Sequence, residues 1–257
     1  MLKLLIKKVF FDIWDNFLYI ILLNLGYMVP IALFFIMGSV NEKNTMLAFL
    51  ILVLAVLIFS FYSLCAGAVT YNSSRYKRDE GRAFLLAFKD HIGHAFIHFG
   101  LCAVLLAVFL YGVPFYFSLG LIGYVLGILT FWIAVYFVLA MQYFYALCFH
   151  NERDGALATL KKSFMLVSDN LGATLFLFIR TIIDIALSVV TGSLLPGFSG
   201  IMLSRMDTVR LLMKKYDFLE ANPQAELKDV NWEDLLYEEK LLVGPRSFRG
   251  MIFPWKE

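Results

Sequence analysis

Cysteine is scarce in this chain of 257 residues: Cys65, Cys102 and Cys148 are odd in number, and each lies inside an apolar run. No disulfide framework can be read from them. Charge is also sparse, at 16% of residues against about 25% in soluble domains. Between His91 and Asn151 there is no Asp, Glu, Lys or Arg at all. The glycine-rich phosphate loop, Gly-x-Ser-x-Gly and His-Glu-x-x-His are missing too. An enzyme is not indicated, and neither catalytic residues nor a cofactor are expected.

What is present is apolar: 61% of residues are hydrophobic and 17% aromatic. Such a chain belongs in a lipid bilayer. The net charge of +2 conceals an asymmetry, since residues 217 to 257 hold nine acids and five bases, while the preceding segment holds eleven acids and seventeen bases. A cationic membrane body thus precedes an acidic tail. The basic loops fit topology and anionic lipid rather than nucleic acid.

Runs of about 20 apolar residues cross a hydrocarbon core of about 30 Å. The pattern predicts an all-α, polytopic fold in residues 1–215, with six spans near 17–37, 46–68, 95–117, 119–149, 171–190 and 195–212. Lys3, Lys7 and Lys8 precede a stretch too long for a signal h-region and without a small-residue cleavage site, so the first span is expected to be retained. The sixth is crowded by Arg205, Asp207 and Arg210, which would sit at a cytoplasmic end with side chains extended toward water. Gly112-Val113-Pro114 and Ser118 to Gly120 are the breakers available between spans three and four. Cys65-Ala66-Gly67-Ala68 marks a close helix contact.

Short amphipathic helices are expected in the interface before each odd span. Their apolar stripes are Leu2, Ile6, Val9 and Ile13; Phe84, Leu85, Phe88 and Ile92; and Leu157, Leu160, Phe164 and Val167. Each leads into a recurring start: Asp15-Asn16, Asp90-His91 and Asp169-Asn170. Their side chains are expected to cap free N–H groups at the positive ends of the following helices. The pattern therefore reads as three hairpin repeats.

Lys and Arg near span ends face the cytoplasm. With six spans the bases fall at 3, 7, 8, then 75, 77, 78, 82, 89, then 153, 161, 162, then 205, 210, 214 and 215, all on one side, and the outer loops hold only Lys43. Both termini are thus expected in the cytoplasm. Residues 216–257 form a soluble tail with one short helix over 231–243, capped by Asn231 and stopped at Gly244-Pro245. Its face of Trp232, Leu235, Leu236, Leu242 and Val243 should dock, with Glu239 out of place. The segment from Phe248 to Trp255 is apolar enough to bind a surface as well.

Two constellations carry chemistry. Arg180 and Asp184 lie one turn apart, about 14 to 20 Å into the fifth span at about 1.5 Å per residue, and Asn24 and Pro30 interrupt the first. Intramembrane charges face a bundle interior. Either the pair lines a substrate or proton path, or it is a static ion pair shared with Asn24 or Tyr hydroxyls. Arg before Asp is the weaker order within one helix, which points to partners on other helices. His91, His94 and His98 fall at i, i+3 and i+7 with Cys102 a turn deeper, and His150, Cys148 and Cys65 lie toward the same side. A transition-metal site and simple tolerance of imidazoles near an interface are the two readings.

The loop-to-span pattern from Ala66 to Phe99, with Gln142-Tyr143-Phe144-Tyr145 leading to Leu160-Lys161-Lys162-Ser163-Phe164 and Asp169-Asn170, resembles the YesL-like family of bacterial polytopic membrane proteins. The resemblance spans residues 1 to 215. It implies a plasma-membrane protein accompanying a carbohydrate transport system. The expectation is a non-enzymatic accessory or scaffold that meets transporter subunits through its cytoplasmic loops and tail. The alternative is a small transporter or channel using Arg180 and Asp184.

Overall fold

A computed structural model describes residues 1–77, 80–226 and 229–246; Arg78 and the Phe248 to Trp255 segment lie outside them. Among the described residues every regular element is a helix. In chain order they are α1 (Leu2–Asp15), α2 (Phe17–Asn41), α3 (Thr45–Ser74), α4 (Glu80–Asp90), α5 (Ile92–Ala107), α6 (Val113–Phe117), α7 (Gly120–His150), α8 (Ala156–Asp169), α9 (Leu171–Val190), α10 (Gly197–Ala221), α11 (Trp232–Leu235) and α12 (Tyr237–Val243).

Five stretches are long and apolar enough to cross a membrane: α2, α3, Ile92–Phe117, α7 and α9. Their outer faces carry large bare apolar side chains, among them Phe35, Leu121, Ile122 and Val190. A water-soluble fold does not expose such a belt. α10 falls outside this class because charges interrupt it, yet it touches α1, α2, α3, α7 and α9. The apolar helices surround the polar one.

Gly112-Val113-Pro114 does not turn the chain. Val108–Gly112 widens into a π-helical segment and α6 continues from it, with Pro114 in its first turn where no N–H is required. The turn comes at Ser118–Leu119, and Gly120 follows with φ +76°. Small residues set the closest helix contacts. A Cβ on Gly26 would lie 2.1 Å from the Tyr62 hydroxyl of α3. On Gly67, within the buried stretch from Cys65 to Ala68, it would lie 2.9 Å from Phe149 of α7.

The junction residues do not act as expected. Asn16, His91 and Asn170 make no side-chain cap to the helices they precede. Instead, the Asn16 amide donates to Asp12 O at 2.8 Å and the Asn170 amide to Leu166 O at 3.2 Å, closing the preceding helices. One residue separates the helices at each junction, so the carbonyls left at the end of the first are the nearest partners. Asp169 and Asn170 both reach Tyr216 of α10, and Asn170 also accepts from Lys215. Asp15 pairs with Arg246 at 2.7 Å, while the 90 position does no more than end α4.

The apolar stripe of α1 is divided between surface and core. Leu2 and Ile6 are exposed, whereas Leu5, Lys8, Val9 and Asp12 are buried. The tail forms two short helices rather than one. Asn231 accepts from Glu233 N at 3.0 Å to cap α11, and the bridge-region backbone of Leu236, at φ −101° and ψ 11°, resets the register before α12. Leu236 and Val243 are buried, but Leu242 is rotated out. Glu239 fits its place because Arg210 holds it, with 2.7 Å between the charges.

Candidate ligand-binding cavity

Arg205, Asp207 and Arg210 do not extend toward water as a group. Asp207 is fully buried against α1, 3.1 Å from the Lys8 ammonium, which also pairs with Asp12. Lys8 further donates to Ser74 O and to the Tyr76 hydroxyl, each at 3.2 Å. Burial by itself would lower the Lys8 pKa, but Asp207 and Asp12 outweigh it and hold the ammonium above its ordinary range. Burial pushes the Asp12 carboxyl up. Arg210 closes the cluster through Glu239 and Ser74 O. Every charge here has an opposite within reach.

Arg205 points elsewhere. It lines a cavity of about 710 Å³ whose walls come from α2, α3, α5, α7, α9 and α10. Among the described residues no carboxylate forms an ion pair with it, and its buried Nε has no hydrogen-bond partner. Gln142, only 4% exposed, has both amide atoms unpaired in the same wall, and Thr181 Oγ1 is also unpaired. Most of the remaining wall is apolar, and Phe34 and Phe35 at its rim are exposed on the outside of the body.

These orphaned groups are costly. An unpaired buried polar atom costs about 1–3 kcal/mol, and insertion scales assign about 2.5–3.5 kcal/mol to an Arg at the centre of a membrane helix. A guanidinium offers a fork of donors that matches a carboxylate or phosphate. The volume lies in the usual range of small-molecule sites, about 300–1,000 Å³. An anion with an apolar body satisfies both parts of the wall.

The expected site residues are distributed differently. Arg180 Nε meets both carboxylate oxygens of Asp184, at 3.2 and 3.0 Å, so the pair closes within α9 rather than across helices. One-turn spacing suffices despite the weaker order. Asn24 takes no part in it. Its amide donates to Leu194 O and Pro196 O, both at 2.9 Å, and its oxygen accepts from Ser199 N at 2.9 Å, clamping the turn into α10.

The four expected metal-site residues divide between two places. His98 bonds Ser60 Oγ at 3.0 Å, lies 3.6 Å from Cys102 Sγ, and with Cys102 faces the cavity. His91 and His94 instead come together with Cys148. His94 and His98 lie one turn apart on α5 and both face Phe144, but His94 bonds Thr159 of α8 while His98 bonds Ser60 of α3.

Fold and cavity together define a multi-pass helical membrane protein with an internal cavity. No protein-family model matches the chain, and neither a curated protein nor a solved structure does. Function is therefore read from the cavity itself.

Proposed function

We propose that this is a non-enzymatic plasma-membrane protein that binds an anionic amphiphile, with the head on Arg205 and Gln142 and the apolar body toward Phe34 and Phe35. The observation that carries this reading is that Arg205, whose buried Nε has no partner among the described residues, shares one apolar-walled cavity with the unpaired Gln142 amide. Arg180 and Asp184 satisfy each other, which supports a structural role for them. The binding unit serves as a carrier or as the ligand-holding accessory of a larger transport assembly. That assembly is the one the YesL-like resemblance implies in a bacterial membrane.

The accompanying topology has six crossings, with α10 as the sixth and both termini cytoplasmic. It is supported by the one-sided distribution of Lys and Arg, and by the packing of α10 against five other helices, which keeps its charges from lipid. Three successions of one short helix and two long ones, beginning at α1, α4 and α8, support the reading as hairpin repeats with interfacial helices. The docked tail then lies on the cytoplasmic face. A reporter active only outside the cytoplasm, fused after Glu257 and found active, would refute this orientation.

Binding is tested by thermal stability in detergent with oleate and phosphatidic acid, against oleyl alcohol and diacylglycerol. The charged members should stabilise the protein and the neutral ones should not. Arg205→Met should abolish that difference. Equal responses to charged and neutral amphiphiles would sink the proposal, and uptake into liposomes by the protein alone would separate a carrier from an accessory.

A further inference from the structure

We infer that His91, His94 and Cys148 form a zinc-binding site at the junction of α5, α7 and α8, separate from the cavity. Their ligand atoms all lie within 4.8 Å of one another. Tetrahedral zinc with bonds of about 2.0–2.3 Å places ligands roughly 3.3–3.8 Å apart. Side-chain adjustment of about 1 Å closes the set around such an ion.

The surroundings prepare the histidine. His94 Nε2 lies 3.1 Å from Thr159 Oγ1, and that hydroxyl donates its single proton to Gly155 O at 3.3 Å. Thr159 therefore accepts from Nε2–H, which leaves the lone pair on Nδ1 for a metal. A ligating imidazole held through its other nitrogen is the usual arrangement in zinc sites. Phe149 packs edge-on to His91, with ring centroids 5.5 Å apart, and limits where that ring can turn.

One thiolate and two imidazoles suit zinc better than magnesium or calcium, which take oxygen ligands. Binding converts the Cys148 thiol to a thiolate, and its proton leaves to solvent, one for each zinc bound. The fourth position falls to water. In the chain the site joins the start of α5 to the end of α7, and Thr159 ties α8 to α5.

The test uses the full-length protein in detergent, stripped of metal and then titrated with zinc chloride or cobalt chloride. Stoichiometric zinc is expected, with a thiolate-to-cobalt charge-transfer band that Cys148→Ser abolishes and Cys102→Ala leaves intact. Thr159→Val should weaken zinc by about 10–100-fold, the usual cost of losing such a support. Substoichiometric zinc, or a cobalt band that survives Cys148→Ser, overturns the site. Where Cys148→Ser does not fold, His91→Ala alters a partly exposed side chain, and unchanged zinc affinity in that variant overturns it equally.

Discussion

α10 carries two regions of opposite character. On one side Asp207 meets Lys8, which also holds Asp12, and nearby Arg210 meets Glu239; on another Arg205 lines the cavity with Gln142, and the Arg205 Nε and the Gln142 amide have no partner among the described residues. Both regions place charge inside the bundle, Asp207 fully buried and Arg205 partly so. In the first the protein answers each charge itself, and in the second it leaves the answer to something that enters. Pairing, rather than burial, separates a charge that holds the bundle together from one that recognises a ligand.

The largest effect should come from breaking the paired side. Lys8→Met leaves two carboxylates buried without a counter-ion, and removing one partner of a buried pair costs about 3–5 kcal/mol. Unfolding in detergent should show it as a large fall in thermal midpoint, or as loss of folded protein. A variant as stable as the parent would erase the distinction between the two regions.

Asp184→Leu tests the same rule on α9. Because Arg180 is partly exposed, at 18% of its side chain, the loss should be smaller than for Lys8. Replacing both residues by Leu should restore much of it, since a buried pair and a hydrophobic pair are often nearly equivalent. Detergent stability of the two singles and the double gives the comparison, and a fully stable Asp184→Leu single would exclude a structural role for the pair.

Gly197→Ala addresses the placing of α10. Gly197 has φ +61°, and an added Cβ would lie 2.1 Å from the Asn24 amide. The left-handed backbone alone costs about 1–2 kcal/mol for an L residue, and displacing Asn24 loosens the clamp that fixes the start of α10. Lower stability together with a weaker response to oleate is expected, because turning α10 moves Arg205 as well.

Arg205→Met should do the reverse of Lys8→Met. Removing an unanswered charge should leave stability within about 1 kcal/mol or raise it, while the response to anionic amphiphiles disappears. The smallest effect is one of pH. Lys8 has a folded pKa above its ordinary 10.5, so below that value its contribution is complete. As pH rises beyond it, the unfolded chain loses the proton first and stability falls. The thermal midpoint should decline above about pH 10.5 in the parent, less steeply in Lys8→Met.

Hydropathy made the apolar helices legible, because their patterns depend only on sequence distance. The Asn231 cap was legible for the same reason. The cavity was harder to find. Arg205 and Asp207 look like neighbours in a charged cluster, yet two residues turn an α-helix by about 200° and place them on nearly opposite sides. That rotation was available in the sequence, but which side met Lys8 and which faced the cavity required the packing of α1 and α7. The histidines divide in a way that spacing does not show, because Thr159 of α8 holds His94 and Ser60 of α3 holds His98. Cys148 then came from a helix that no spacing rule connects to them.

The polarity of α10 bears on biosynthesis. A helix interrupted by Arg205, Asp207 and Arg210 partitions poorly into lipid on its own, each such residue being disfavoured by about 2.5–3.5 kcal/mol at a helix centre. Its partners Lys8 and Asn24 both leave the ribosome earlier. If α10 is the sixth crossing proposed above, it is expected to wait at the translocon until the preceding helices have gathered, and to enter the bilayer as the last piece of a receptacle already built for it.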